Sequence, residues 1–464
     1  RPALTPARRL KARFPELVAV PGDEAYERLR TPWNLAVQQR PAAVAEPVTA
    51  AQVQQLVWAA ADLGLRIAPQ GTGHGAQALA ARGLDDVLLL RTTGMTAVAV
   101  DAGHRLARVQ AGAIWDDLVC AAGGYGLAAL HGSSPDVGVA GLALGGGIGW
   151  YARRFGLTCN SVTALDVVTA DGALLHTGPD RHAELFWALR GGGANLGVVT
   201  ALELRLLPIA DVYAGRMVWG LDRYEHVLRF WNDWARDAPE EISTSLRAMR
   251  FPPFPHLPEE LRGRAVVILD GAVTGSDETG RRLLAGFRAL RPEIDTWARV
   301  PAAGIGRMHL DPEVPTPAVG RGGLVRSLDE AAIAGLLAAV GPGADTAVLM
   351  AELRQLGGAL GRVPDGAGAL GRLPGDHAAY LLAAAPTAEH AARGLRDTTA
   401  ALAALAGVHS GHYLNLAERP VDPRTAFDDA TWRRLLAIRA QLDPAGIFLA
   451  QHEFVAGPAV QSAE

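Results

Sequence analysis

The chain has 464 residues, of which 49% are hydrophobic and 20% charged, and its formal net charge is −4 at pH 7. These values are typical of a folded protein of two or three domains and exclude an intrinsically disordered chain. A mildly acidic chain lacks the dense positive charge that neutralises phosphates, so nucleic acid is not expected as a partner. The longest apolar run, 137–152, contains six glycines and is shorter than the roughly 20 residues of a transmembrane helix, so no membrane span is expected.

The two cysteines, Cys120 and Cys159, exclude a framework of disulfide bonds. Both lie in apolar stretches, and we expect them to be structural thiols. The chain begins at Arg1 and shows no apolar leader sequence. Localisation therefore stays open between the cytoplasm and secretion after removal of a leader, and the sequence does not indicate an oligomeric state.

The first part of the chain predicts alternating strands and helices. Residues 42–75 predict a strand, a helix with Thr49 as N-cap, a second strand and a glycine-rich loop. Short β-rich runs follow, and the next helix is expected from about Ile114. A later apolar run predicts a hairpin whose turn is Asp171 and Gly172, because this dipeptide tolerates positive φ between apolar strands.

The pattern of predicted strands and helices changes in the second half of the chain. Residues 209–404 alternate strands with longer amphipathic helices, which predicts a second, antiparallel α+β domain. Two proline-rich loops, 251–260 and 309–323, could cover a site or be inert surface loops. The cofactor motifs described below occur at both ends of the chain. We therefore predict an FAD-binding domain formed by 1–208 together with 405–464, with 209–404 as a substrate-binding domain.

Three glycine clusters, at 71–75, 145–149 and 191–197, have the patterns G-x-G-x-G, G-G-G-x-G and G-G-G-x-x-x-G. None is the G-x-G-x-x-G of a Rossmann dinucleotide site, and the chain has neither a P-loop nor a G-x-S-x-G turn. No metal site is expected, since His409 and His412 lack further ligands at metal spacing. Bare backbone can approach a pyrophosphate or a flat ring closely. Tight packing between domains is the alternative for one cluster, but three clusters and a glycine-flanked histidine favour a ligand.

Several motifs together resemble the FAD-binding oxidase family related to vanillyl-alcohol oxidase, and more closely its berberine-bridge-enzyme-like branch. The resemblance spans nearly the whole chain. Its motifs are PQGTGHGA, GSSPDVGVAGLALGGGIGWYARRFGLTCNSV, ELFWALRGGGANLGVVT, ELRQLGGAL, YLNLAE and DPAGIF. It implies an α+β fold with a PCMH-type FAD-binding domain of two α/β subdomains, and a substrate domain with an antiparallel sheet covered by helices.

The resemblance also implies one covalent bond between the protein and FAD. In the family the first loop wraps the FAD diphosphate, and its histidine, here His74, bonds to the 8α-methyl group of the flavin. The alternative for His74 is a hydrogen-bonded loop histidine. Members with two bonds use a cysteine where this chain has Ser134, and a hydroxyl cannot replace the thiolate. Those members tend to have open sites for bulky substrates, so a large oligosaccharide substrate is in doubt.

A wider set of residues in the same motifs is expected to contact FAD. These are Gln70, Gly71, Thr72, Gly73, His74, Gly75, Ser134, Pro135, Val137, Gly138, Gly141, Gly146, Gly147, Gly149, Gly197, Val198, Val199, Tyr413 and Asn415. The resemblance implies each of these contacts.

The catalytic residues are expected near the flavin ring. Tyr413 is the first candidate for the base that removes a substrate proton, or for the group that orients the base. Asn415 follows two positions later on a predicted strand, so both side chains would point to one face, although Tyr413 could also be a buried structural residue. Glu352 and Arg354 have the same spacing, with a structural salt bridge as the alternative. In the family, the residue at the position of Val137 controls the access of O₂ to the flavin. A small valine there permits access, whereas a larger isoleucine or leucine restricts it.

The sequence therefore predicts an FAD-dependent oxidoreductase of secondary metabolism. We expect an oxidase that transfers a hydride from a small alcohol, amine or natural-product intermediate to FAD and then to O₂, giving H₂O₂. The expected partners are this small-molecule substrate and O₂. A flavin dehydrogenase with another acceptor and a catalytically silent flavin-containing binding protein are the alternatives.

Overall fold

Three β-sheets, each with its own helices, organise the computed structural model, which describes residues 4–455. Residues 1–3 and 456–464 of the predicted first domain lie outside the described residues. No helix between residues 4 and 455 is both long and apolar enough to cross a membrane.

The first sheet has four strands in the order β1-β2-β4-β3, in which β2, β4 and β3 run parallel and β1 is antiparallel. Its elements are α1 (Pro6–Arg13), β1 (Val18–Ala19), α2 (Glu24–Arg30), β2 (Ala43–Ala45), α3 (Ala50–Asp62), β3 (Arg66–Gln70), α4 (Ala76–Ala80) and β4 (Val87–Arg91). Helix α3 begins as predicted, because the Thr49 hydroxyl accepts a hydrogen bond from the N–H of Gln52. Val53 and Leu56 of α3 are fully buried in the core of this sheet. Strand β3 leads directly into the first glycine cluster.

The second sheet has five antiparallel strands in the order β5-β6-β9-β7-β8. Its elements are β5 (Val98–Asp101), β6 (Leu106–Gln110), α5 (Trp115–Gly123), α6 (Val139–Leu144), α7 (Ala152–Phe155), β7 (Val162–Val168), β8 (Leu174–Thr177), α8 (Ala183–Gly192) and β9 (Val198–Arg205). The predicted hairpin is present as β7 and β8, with Gly172 at a φ of +78° in its turn. Helix α5 follows Ile114 as predicted. Cys159 is buried, but Cys120 is exposed on α5 and is not the structural thiol that its apolar neighbours suggested.

The third sheet has nine antiparallel strands, which begin at β10 after the second sheet is complete. Eight follow the order β13-β10-β12-β11-β16-β17-β15-β18, and β14 also pairs with β10. The remaining elements of the chain are β10 (Asp211–Gly220), α9 (Tyr224–Asp237), β11 (Ile242–Arg250), β12 (Ala265–Val273), α10 (Asp277–Ala289), β13 (Ile294–Asp295), β14 (Ala298–Pro301), β15 (Ala318–Val325), α11 (Glu330–Val340), β16 (Val348–Gln355), β17 (His377–Ala384), α12 (Ala388–Ala403), β18 (His409–Gly411) and α13 (Asp429–Leu442). Large side chains of α9 and α10, Trp231 and Phe287, are fully buried in the core of this sheet.

The end of the chain returns to the first two sheets. Trp432 and Leu435 of α13 are buried in the core of the second sheet. The N–H of Ile67 in β3 donates to the carbonyl of Ile447 at 2.7 Å, and the N–H of Leu449 donates back to Ile67 at 2.8 Å. Residues 447–449 therefore run along the outer edge of the first sheet.

This return begins later than the predicted residue 405. Leu405 and Val408 are buried in the core of the third sheet, and Gly411 in β18 pairs with Leu324 in β15. Leu405 and Val408 share this core with Leu336 of α11 and Ala401 of α12, which is why the segment to Gly411 stays with the third sheet. The division of the chain into two domains remains a prediction.

Candidate active site

A cavity of about 430 Å³ is lined by residues from the regions of all three sheets, and we call it the central cavity. Most of the residues predicted to contact FAD or substrate line it. They are Gln70, Gly71, Thr72, Gly73, His74, Gly75, Ser134, Val137, Gly138, Gly141, Gly197, Val199, Glu352, Tyr413 and Asn415. The structure thus brings together motifs that are more than 340 residues apart in the sequence, from Gln70 to Asn415.

The His74 imidazole is held on two sides at the wall of the central cavity. Its ring stacks on Trp33 with 4.2 Å between ring centroids and 19° between planes. Its Nδ1 lies 2.8 Å from the Thr72 hydroxyl, and its Nε2 lies 3.6 Å from Oδ1 of Asp136. A quarter of the side chain stays exposed. These contacts fix the ring plane and leave part of the ring accessible from the cavity.

Two glycines border open space in the central cavity. A Cβ atom added to Gly141 or Gly193 would meet no atom within 4 Å. Such bare backbone offers N–H groups and a flat surface to an extended anionic or planar group. The glycine-lined wall therefore fits the diphosphate and ring of a dinucleotide such as FAD.

Five predicted FAD contacts do not line the central cavity. They are Pro135, Gly146, Gly147, Gly149 and Val198. A Cβ at Gly147 would lie 2.3 Å from the Thr158 hydroxyl, and one at Gly149 would lie 1.7 Å from the carbonyl of His131. These two glycines allow close packing of protein against protein, which was the alternative for a single glycine cluster. Val198 is fully buried in the core of the first sheet, and the carbonyl of Pro135 accepts the N–H of Asp116.

Tyr413 and Asn415 lie together, but not on a strand. Residues Leu414–Leu416 form one turn of 3₁₀ helix after β18 has ended at Gly411. Asn415 Nδ2 donates to the Tyr413 oxygen at 2.9 Å, and the N–H of Gly147 donates to the same oxygen at 2.7 Å. Gly145 makes the approach possible, since a Cβ there would lie 1.9 Å from Oδ1 of Asn415.

A phenolate at Tyr413 is not favoured by this environment. Burial raises its pKa above the usual value, although the Gly147 and Asn415 hydrogen bonds act in the opposite direction. The Arg354 charge also acts to lower the pKa, but it does not outweigh burial. Arg354 therefore does not activate Tyr413 as a base, and at neutral pH Tyr413 is a neutral phenol.

Glu352 and Arg354 form the salt bridge that their spacing suggested, and both line the central cavity. Arg354 donates to Oε1 of Glu352 at 2.8 Å and to the hydroxyl of Ser133 at 3.0 Å. The Ser245 hydroxyl donates to the same Oε1 at 2.7 Å. Burial disfavours the charge of Glu352, but Arg354 and His309 outweigh it and hold the pKa of Glu352 well below its usual value. Glu352 is therefore ionised, with Oε2 free of protein hydrogen bonds within residues 4–455.

His309 links two carboxylates at the cavity wall. Its Nδ1 lies 2.8 Å from Oδ1 of Asp311, and its Nε2 lies 3.2 Å from Oε1 of Glu352. Burial and the Arg247 charge oppose protonation, but the two carboxylates raise the pKa of His309 to about 9. Burial also disfavours the charge of Asp311, but His309 beside it lowers the pKa of Asp311 to about 2. We call Asp311, His309, Glu352 and Arg354 the charge network.

Ser134 and Val137 line the central cavity where the resemblance put them. The Ser134 hydroxyl donates to Asp311, which connects the second glycine-rich motif to the charge network. The carbonyl of Val137 accepts the N–H of Trp115 at 2.9 Å, so its backbone is anchored, and the partly buried residue packs against the core of the second sheet at the cavity wall.

Sequence reasoning missed several residues of this site. His309 and Asp311 belong to the proline-rich loop 309–323, which was considered only as a possible cover. Tyr380 alternates with cavity residues on β17, and Glu418 is the last residue of the YLNLAE motif but was not singled out. A histidine two residues before an aspartate was the one local signal for the charge network. No three or more His, Cys, Asp or Glu side chains within residues 4–455 are grouped so that they could hold a metal ion.

The chain is similar to known flavoproteins. Residues 41–178 match the family model described as an FAD binding domain. The chain is 36% identical over 203 residues to the (R)-6-hydroxynicotine oxidase of Paenarthrobacter nicotinovorans, an alignment that covers 44% of each chain. It is 32% identical over 228 residues to the glucooligosaccharide oxidase of Sarocladium strictum, covering 48% of this chain and 46% of that one. The alignments thus span less than half the length of these relatives.

The similarity in structure extends over nearly the whole chain. The Physcomitrella patens BBE-like 1 protein superimposes with a TM-score of 0.84 and 21% identity, covering 97% of this chain and 99% of that one. The 6-hydroxy-D-nicotine oxidase of Arthrobacter nicotinovorans superimposes with a TM-score of 0.79 and 25% identity, covering 95% and 97%. The predicted α+β fold class and the predicted FAD cofactor are confirmed. The chain therefore carries an FAD-binding domain over residues 41–178, and its overall fold is that of the BBE-like proteins.

Proposed function

We propose that this protein is an FAD-linked oxidase that takes a hydride from a small alcohol, amine or natural-product intermediate and passes the electrons to O₂, giving H₂O₂. The observation that carries the proposal is the central cavity itself. One of its walls is the bare glycine backbone with His74, and another is the charged face of the third sheet with Glu352. The oxidase names of the curated relatives support the same reaction type.

FAD, when bound, supplies the hydride acceptor and the site of reoxidation by O₂. The residues proposed to hold it are the loop Gly71–Gly75 and the bare backbone at Gly141, Gly193 and Gly197. His74 is proposed to carry the one covalent bond, because Thr72 and Trp33 orient its ring toward the cavity. Ser134 occupies the position of the second bond in other members and already donates to Asp311.

The proton of the substrate hydroxyl or amine is proposed to pass to Oε2 of Glu352. That oxygen is the free acceptor of an ionised carboxylate whose other oxygen is fixed by Arg354 and Ser245. The low pKa of Glu352 makes it a weak base, so proton transfer is expected to accompany hydride loss rather than precede it. Tyr413 is proposed to orient the substrate as a hydrogen-bond donor.

Two measurements test this function. The purified protein should be yellow, and a donor from a panel of small alcohols and amines should bleach the flavin without O₂ and yield H₂O₂ with it. Denatured protein should stay yellow, whereas His74→Ala should release its flavin on denaturation. If no donor in the panel bleaches the flavin, the silent binding protein is the better description. A flavin bond found on Ser134 or on a cysteine would show that the loop was aligned wrongly.

A further inference from the structure

Tyr380 and Glu418 form a polar pair in the central cavity that the proposed reaction does not use. The Tyr380 hydroxyl donates to Oε1 of Glu418. The other oxygen, Oε2, is buried and has no hydrogen-bond partner within the described part of the chain. Tyr380 is the cross-strand partner of Glu352, so the pair lies on the sheet face that carries the proposed proton acceptor.

Gly320 in β15 leaves room for this pair because it has no side chain. A Cβ added to Gly320 in β15 would lie 2.8 Å from Oε2 of Glu418 and 2.8 Å from the Tyr380 oxygen. Any larger residue at Gly320 would push the carboxyl group away from its place. The position of Glu418 is thus fixed by the sheet on one side and by Tyr380 on the other.

Glu418 differs in its charge balance from the other carboxylates of the central cavity. The other three each lie beside a basic group: Asp136 beside His74, Asp311 beside His309, and Glu352 beside Arg354. No nitrogen of a Lys, Arg or His side chain among residues 4–455 lies within 4.0 Å of the Glu418 carboxyl oxygens. The Arg321 charge acts on it from beyond that distance.

A buried carboxyl group with one unpaired oxygen is costly, because that oxygen has lost water without gaining a hydrogen bond and the group has no counter-charge within 4.0 Å. An N–H⁺ group of a ligand would supply both in one charge-assisted hydrogen bond. We infer that Glu418 binds a basic nitrogen of the substrate, with Tyr380 as the positioning residue. This inference rests on the proposed function and narrows its substrate class to compounds that contain a basic amine.

The test compares amines with alcohols of the same carbon skeleton. The first pair is benzylamine and benzyl alcohol, and longer and cyclic pairs follow. Each is titrated into the holoenzyme without O₂, and its dissociation constant is measured from the change in flavin absorbance. We expect amines to bind roughly 10-fold or more tightly than their matched alcohols, as one ionic hydrogen bond provides.

Glu418→Gln keeps the size of the side chain and removes its charge. It should weaken amine binding by roughly 10-fold or more and leave alcohol binding within about 3-fold of the parent. Tyr380→Phe should also reduce the ratio of amine affinity to alcohol affinity, but by a smaller factor than Glu418→Gln does. Glu389→Gln, an exposed glutamate at the start of α12, is the matched control and should change neither affinity.

Three results would overturn the inference. In the first, the parent protein binds no amine more tightly than its matched alcohol. In the second, Glu418→Gln keeps the preference for amines. In the third, Glu418→Gln changes the flavin spectrum without any ligand, which would place the carboxyl against the cofactor. The H₂O₂ assay separates this inference from the proposed function, since selective amine binding without H₂O₂ would remove the oxidase and keep the amine site.

Discussion

The phenolic oxygen of Tyr413 accepts two hydrogen bonds, from the N–H of Gly147 and from Asn415 Nδ2. With both acceptor positions in use, the hydroxyl hydrogen of Tyr413 is available for a ligand. We predict that Tyr413→Phe lowers the rate of flavin reduction by roughly 10²-fold, because the substrate loses its orienting donor. Stopped-flow measurement without O₂ gives this rate directly.

Tyr413→Phe should also lower the stability of the protein, because Tyr413 has a structural role besides its proposed role in orienting the substrate. The buried N–H of Gly147 would lose its acceptor, which costs about 1–3 kcal/mol and lowers the melting temperature. FAD content should stay near one per chain. A Phe variant that reduces its flavin at the parent rate would show that Tyr413 serves only to pack the site, and Glu352→Gln would then be the next variant to measure.

Val137 is the second residue whose role can be isolated. It lines the central cavity, packs against the core of the second sheet and has its backbone held by Trp115, so we expect a larger side chain to take up cavity space rather than move the loop. We predict that Val137→Leu slows reoxidation by O₂ about 10-fold or more, while reduction by substrate without O₂ stays within about 3-fold of the parent. If both half-reactions slow equally, the residue acts through packing rather than through oxygen access.

At the scale of single elements, the charge network joins strand β16 to the loop before β15. His309 has a pKa of about 9, above the roughly 6.5 of an unfolded histidine, so its stabilising contribution is complete below pH 6.5 and is lost as the pH rises through 9. Asp311 has a pKa of about 2, below the roughly 3.9 of an unfolded aspartate, so its contribution is present above pH 3.9 and is lost as the pH falls through 2.

We therefore predict that the network stabilises the holoenzyme most between about pH 4 and 6.5. His309→Gln should remove the part of the decline in melting temperature that the parent shows between about pH 6.5 and 9. His226→Gln, an exposed histidine on α9, is the control and should keep the parent profile. The assignment fails if the His309 variant declines as steeply over this range as the parent does.

The elements show where sequence patterns are sufficient and where they are not. The cap at Thr49 and the turn at Gly172 were predictable because each depends on a few adjacent residues. Tyr413 and Asn415 were expected on a strand, but their mutual hydrogen bond and the close approach of Gly145 favour a 3₁₀ turn. The approach of Gly145 to Asn415 joins residues 270 positions apart, which no local pattern reports.

At the scale of the whole molecule, the resemblance predicted the fold and the cofactor because its motifs are spread along the chain. It did not separate residues that face the cavity from residues that pack behind it, as the different surroundings of Gly141 and Gly149 show. His309, Asp311 and Glu418 were missed as site residues for a related reason. Their chemistry arises only when the third sheet closes over the glycine-rich loops.

The C-terminal helix α13 gives the last test, which concerns the assembly of the FAD-binding part from both ends of the chain. Leu435 is fully buried in the core of the second sheet, and its Cδ2 would lie 3.4 Å from a Cβ at Gly192, next to the cavity residue Gly193. We predict that Leu435→Ala destabilises the protein by about 2–5 kcal/mol and reduces FAD incorporation, since the cavity it leaves loosens this glycine segment.

The matched control is Arg433→Ala, which removes an exposed side chain from the same helix and should keep both the melting temperature and the FAD content of the parent. Thermal unfolding and the ratio of flavin to protein absorbance measure the two properties. Equal losses in both variants would point to a loss of helix α13 itself. A stable, fully flavinylated Leu435→Ala protein would show that the FAD-binding part folds without the contribution of the C-terminal segment, against the predicted domain organisation.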